Sequence, residues 1–150
     1  MKAKQPWLLT VGALALHVAD EALTGFLDFY NPFVRSMRER LGFWPMPTFT
    51  FGVWLTGLIA LVIVLCALTP AVRRGAPGTR VASWVLAVVV LANGIAHLAG
   101  SVYFGRWLPG ATTAPLLIVS SVLLMIRAAE PRTDEPCEPS EPSEPRTLRT

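Results

Sequence analysis

Two short stretches hold the residues able to do chemistry. In the first, His17, Asp20, Glu21 and Thr24 stand at i, i+3, i+4 and i+7, the spacing that lines side chains along one face of an α-helix. In the second, Asn93 and His97 stand at i and i+4, with Ser101 one turn further on and Tyr103 just beyond it. Imidazoles beside carboxylates can pass a proton, with an acid kept neutral by a low-dielectric setting as donor and a histidine or second carboxylate as acceptor. They can also hold a divalent metal such as Zn, Fe or Mn, for which His17, Glu21 and His97 are the candidate ligands. Adjacent carboxylates diverge by about 100° around a helix, so Asp20 and Glu21 are not both expected on one ion.

Both stretches lie in a chain too apolar for water. It is 53% hydrophobic and only 15% charged, with a mean hydropathy of +0.50, whereas about a quarter of the residues in a soluble domain are charged. Residues 49–69 carry no charge and are long enough to cross about 30 Å of hydrocarbon at about 1.5 Å per residue. Residues 81–103 are interrupted only by Asn93 and His97. Residues 111–126 form a shorter span closed by Arg127, with Pro115 near its start, where a missing hydrogen bond costs least.

The opening segment, residues 7–27, is the weakest span. Near a helix centre Asp20 and Glu21 each cost roughly 2.5–3.5 kcal/mol, while each leucine or valine returns only about 0.3–0.6 kcal/mol. Lys2 and Lys4 ahead of an apolar run also fit a secretory signal peptide, but His17 falls inside the apolar core and no small-x-small cleavage site follows. The preferred expectation is a first membrane helix whose acids are sheltered by three others. The expected fold is therefore all-α: a four-transmembrane-helix bundle over residues 1–127, followed by a disordered Pro/Glu-rich tail over residues 128–150, where dense proline blocks helix and sheet alike.

The segment 28–48 mixes aromatic residues with Arg35, Arg38 and Arg40. A short amphipathic helix in the interface fits it, as a lid over a site or, the favoured expectation, as an ordinary connecting loop, and Phe43, Trp44 and Trp54 read as an aromatic belt. With four spans, Lys2, Lys4, Arg73, Arg74, Arg80, Arg127 and Arg132 share one side, and Arg35, Arg38, Arg40 and Arg106 share the other. The excess places both termini in the cytoplasm. The net charge of +3 thus speaks for membrane orientation and against nucleic-acid binding. Cys66, in a span, and Cys137, in the tail, suit neither a disulfide nor a metal site.

Ala92, Gly94, Ala96, Ala99 and Gly100 surround Asn93 and His97, and small residues let membrane helices approach closely. Counted from Trp7 and Val81, His17 lies about 15 Å deep, Glu21 about 21 Å, Asn93 about 18 Å and His97 about 24 Å. The two polar stripes are level to within about one turn, so they are expected to form one site. Ionisable residues at such depth are functional by default.

The stretch HVADE, His17 to Glu21, resembles the signature of the HXXEE domain family of small multi-pass membrane proteins. Residues 93–125 are similar to that family's later block, in which an Asn and a His precede an aromatic residue, a Pro-Gly turn and the last helix. Asp20 stands where the family usually has its first Glu. The resemblance covers residues 7–125 and implies a site and an architecture, but no reaction.

The residues themselves lead to a membrane-embedded acid/base enzyme for a lipid or isoprenoid-like substrate, in an architecture similar to that of the EXPERA-type sterol isomerases. Glu21 is the expected acid and His97 its proton partner. His17 and Asn93 orient them, Asp20 belongs to the catalytic group, and Thr24, Ser101 and Tyr103 are expected to contact substrate. Three alternatives stand beside it: a metal-binding protein, a proton-coupled carrier, and a structural polar cluster without catalysis. The carrier is disfavoured because residues 8–12 and 85–90 offer no polar stepping stones. Expected partners are the bilayer, a hydrophobic small molecule or lipid, and a second copy of the chain.

Overall fold

A computed structural model of the chain describes residues 4–130. Among them are five helices and no strand: α1 (Lys4–Leu23), α2 (Phe26–Leu41), α3 (Phe51–Arg74), α4 (Thr79–Tyr103) and α5 (Ala114–Ala129). The helix α5 runs into the first residues of the segment expected to be a tail. The rest of that expected tail, from residue 131, lies outside the described residues.

The helices α1, α3, α4 and α5 alternate in direction. Trp7 Nε1 donates to the Leu65 carbonyl at 3.3 Å and Thr10 Oγ1 to the Ser120 carbonyl at 3.0 Å, while at the other end of α1 Phe26 meets Trp54 and His17 meets Thr113. Both α3 and α5 are therefore antiparallel to α1. Arg80 Nε donates to the Ala128 carbonyl at 2.8 Å, which makes α4 antiparallel to α5 and parallel to α1. That parallel pairing puts His17 and His97 at one level.

The core lies along α1. Trp7, Val11, Leu14 and Val18, spaced by four, three and four residues, meet Leu65, Ala87 and Leu124 from the other three helices, as a single helical face must. The outer surfaces are apolar as well: Val53, Ile63, Val88, Val89, Val119 and Ile126 all face outward. A protein that turns large aliphatic side chains outward on several helices suits a hydrocarbon surround. The helices α3 and α4 are each long and apolar enough to cross a membrane, and α1 with α2 qualifies only as a bent pair. The 16 residues of α5 extend about 24 Å, short of a full hydrocarbon core. Two helices thus meet the requirement alone, or three spans with the bent pair, where the sequence leads one to expect four.

The connection after α1 holds the amphipathic helix that its sequence fits, and is not a plain connecting loop. At Gly25, with φ +75°, the chain enters the left-handed region that glycine adopts without penalty, and α2 sets off at 81° to α1. The helix forms because Phe26, Phe29 and Phe33 recur at intervals of three and four and, with the buried Val34, half-bury one face, which outweighs the single hydrogen bond lost at Pro32. Residues 43–50, with Pro45 and Pro47, stay extended and are strapped to α2 by side chains. Asn31 Nδ2 donates to the Phe49 carbonyl at 2.8 Å, Tyr30 Oη to the Pro47 carbonyl at 3.0 Å, and Arg38 Nη2 to the Met46 carbonyl at 2.6 Å. At the far end of α3 the helix continues through Pro70 to Arg74, past the boundary expected at residue 69.

Candidate functional site

Helical periodicity brings His17 and Glu21 to the same inner face of α1, and the parallel α4 brings His97 against them. All three are buried, at 1%, 5% and 6% exposure. Glu21 Oε1 lies 3.0 Å from His97 Nε2 and 3.5 Å from His17 Nε2, and the two imidazoles meet edge to face at 4.7 Å between centroids. The donor atoms of these three residues fall within 4.8 Å of one another.

The opposite nitrogen of each histidine is held by the chain that joins α4 to α5. His97 Nδ1 is 2.7 Å from the Pro109 carbonyl, which only accepts, so Nδ1 carries the hydrogen. His17 Nδ1 is 2.8 Å from Thr113 Oγ1. That hydroxyl gives its own hydrogen to Asp20 Oδ2 at 2.9 Å, so it accepts from His17 Nδ1–H. Both Nε2 atoms of the neutral rings are then acceptors. One faces Glu21 Oε1 directly, and the other accepts from Asn93 Nδ2 at 3.1 Å. A carboxylate oxygen against an imidazole lone pair at 3.0 Å is repulsive unless a cation or a proton lies between them.

The two adjacent acids therefore part company. Glu21 turns to the histidines, and Asp20 accepts from both the hydroxyl and the backbone N–H of Thr113. Thr113 is the residue before α5, so the Asp20 carboxylate sits at a helix N-terminus, where the backbone dipoles stabilise negative charge.

Gly110 closes the site. At φ +83°, a Cβ built on it would stand 2.8 Å from His97 Cε1 and 2.9 Å from His17 Cε1, so only glycine lets the loop lie on both rings. The small residues of α4 act differently from the expectation that they join the two polar stripes. Gly94 packs on α5, where a Cβ would be 3.0 Å from the Ala114 carbonyl, while Ala92, Ala96 and Ala99 are exposed, Ala96 toward the space under α2.

Two cavities flank the Glu21–His97 pair, and Phe26 lines both. The larger, about 470 Å³, lies under α2 between Phe29, Phe33, Trp44 and Phe104, with His97 and Asn93 in its wall. The smaller, about 210 Å³, has Glu21, Asn31 and Trp54 in its wall. The remaining candidates stand apart from the pair. Thr24 is exposed and its hydroxyl donates to the Asp20 carbonyl at 2.6 Å. Ser101 donates to the His97 carbonyl at 2.8 Å and accepts from Leu108 N at 3.1 Å, which fixes the chain after α4. Tyr103 is 83% exposed and packs on Phe104.

Type and spacing do not mark Thr113 as a site residue, and they mark Trp44 only as part of an aromatic belt and Pro109 with Gly110 only as a turn. For Thr113 a signal does exist, since a threonine two residues before a proline marks a helix start. The contributions of Pro109 and Gly110 are a carbonyl and a missing side chain, which carry no chemical signature.

A family model for proteins of unknown function with an HXXEE motif matches residues 7–125. The chain belongs to the HXXEE family. In this HXXEE protein the motif's histidine is His17, its last glutamate is Glu21, and its middle acid is Asp20. The aspartate thus occupies the position that turns to Thr113, and the glutamate the position that meets both histidines. No curated protein and no solved structure matches the chain.

Proposed function

We propose that this protein crosses the membrane four times, through α1, α3, α4 and α5, and that Glu21 and His97 form an acid/base pair acting on an apolar, lipid- or isoprenoid-like molecule in the cavity under α2. One observation carries the reading. Glu21 Oε1 and His97 Nε2 are 3.0 Å apart, with His97 Nδ1 already committed to Pro109; His97 is in the wall of the cavity of about 470 Å³, and Glu21 stands behind it in the wall of the smaller one. A single proton between the two atoms removes their repulsion and is the proton available for transfer. The cavity falls within the range of about 300–1,000 Å³ usual for small-molecule sites. In this reading His17 and Asn93 hold the pair from one side, Asp20 and Thr113 fix the His17 tautomer, and the proton alternates between Glu21 and His97 as the ligand's double bond is protonated and another hydrogen is removed.

The test is hydrogen exchange. Full-length protein incubated in D₂O with lipids extracted from its host membrane should place deuterium at carbon in one lipid species, read by mass spectrometry, and Glu21→Gln should abolish it. Equal incorporation with wild type and variant, or none with either, removes the acid/base reading.

A divalent metal on His17, Glu21 and His97 is the second reading. Bonds of about 2.0–2.1 Å in a tetrahedral site put neighbouring ligand atoms about 3.3 Å apart, and the two contacts to Glu21 Oε1 are 3.0 and 3.5 Å. Both histidines also have the outer hydrogen-bond partners typical of metal ligands. The proton reading ranks first because His17 Nε2 is closer to the Asn93 amide, at 3.1 Å, than to Glu21. About one metal per chain in purified protein, lost with His97→Ala, would reverse that order.

A further inference from the structure

The cavity under α2 has an internal asymmetry that bears on what fills it. Its polar side chains are already engaged. His97 is shared between Pro109 and Glu21, Asn93 donates to His17, and the Tyr30 hydroxyl donates to the Pro47 carbonyl. Trp44 is the exception. Its indole Nε1 is shut off from solvent and has no hydrogen-bond partner among the described residues, although its carbonyl accepts from Arg38 Nε at 3.5 Å. A buried donor left unpaired is destabilising, and indole N–H groups usually find an acceptor when buried.

No carboxylate, lysine or arginine lines this cavity. Arg40 and Arg106 instead face a separate groove of about 730 Å³ on the far side of Phe29, Phe33 and Phe104, where the Arg106 guanidinium lies over the Phe29 ring at 5.5 Å. A ligand carrying a formal charge would have to leave water for a space without a counter-charge, which is strongly unfavourable. An apolar ligand with one neutral oxygen meets the lining without that cost, and reaches the enclosed Nε1 once the indole turns it toward the cavity.

We propose that the ligand is an uncharged amphiphile, an apolar chain or ring system bearing a carbonyl, ether or hydroxyl oxygen, and that this oxygen accepts the Trp44 Nε1 hydrogen while the apolar part reaches His97. The proposal deepens the acid/base reading, because it takes the cavity beside His97 to be the substrate site. Trp44 is then a specificity determinant at the end of the cavity formed by the strap.

The measurement is competition binding to full-length protein in detergent. A radiolabelled long-chain methyl ketone is displaced by the unlabelled ketone, by the alkane of equal length and by the matching carboxylate. In the wild type the ketone should compete about tenfold better than the alkane, the factor given by one hydrogen bond of about 1.4 kcal/mol, and the carboxylate should be the weakest. Trp44→Phe keeps an aromatic wall and removes the N–H, so it should bring ketone and alkane to parity. A wild type that binds none of the probes, prefers the carboxylate, or does not distinguish ketone from alkane overturns the proposal. So does a ketone preference that survives in Trp44→Phe. The wild-type comparison alone decides if that variant does not fold. A ketone preference without deuterium exchange ends the acid/base reading alone, and exchange without the preference ends this proposal alone.

Discussion

At the scale of single residues, the site is a set of hydrogen positions. The Thr113 hydroxyl receives the His17 Nδ1 hydrogen and passes its own to Asp20, so one side chain fixes a tautomer and satisfies an acid. Thr113→Val should leave a buried N–H and a carboxylate short of a donor, lowering stability by about 1–3 kcal/mol, while Thr113→Ser should stay near wild type in detergent melting curves. Glu21→Gln separates chemistry from architecture. The glutamine amide can still donate to His97 Nε2, so an acid that is neutral in the folded protein should be replaced with no loss of melting temperature. Glu21→Ala should cost about 1–3 kcal/mol through the unpaired imidazole. A large loss with glutamine would mark the cluster as a structural knot.

At the scale of elements, glycines set how near the pieces come. The connection from α4 to α5 reaches both imidazoles only because Gly110 has no side chain and adopts φ +83°. Gly110→Ala should destabilise by about 2–4 kcal/mol, combining a left-handed alanine with a collision on two rings. Gly94→Ala should cost about 1–3 kcal/mol by forcing α4 from α5, whereas Gly57→Ala, with nothing within 4 Å, should be silent or slightly stabilising in the same unfolding assay. The mixed aromatic and basic residues of α2 fit an amphipathic helix as well as a connecting loop, and the aromatic face laid over the cavity decides for the helix. Local propensity undervalued that segment because its stabilisation is tertiary.

At the scale of the whole molecule, the proposed four crossings put the α3–α4 turn and the α4–α5 connection on opposite sides of the bilayer. In a chain carrying Cys66→Ser and Cys137→Ser, Ala76→Cys and Arg106→Cys should be labelled by an impermeant thiol reagent from opposite faces of sealed vesicles. Labelling from the same face would break the topology and the sheltering of Asp20 and Glu21 with it. The sequence by itself determined that the chain is helical and apolar, that His17 shares a face with Glu21 and Asn93 with His97, and that the two pairs lie at one depth. These follow from a period of about 3.6 residues and a fixed rise, which are local properties. Tertiary structure alone decided which acid meets the histidines, that Thr113 and the Pro109 carbonyl fix their tautomers, that Gly110 roofs them, and that Trp44 is left with an unused hydrogen. Each of those depends on the path of the connections between helices, where the deciding groups are carbonyls and missing side chains that no spacing in the sequence can encode.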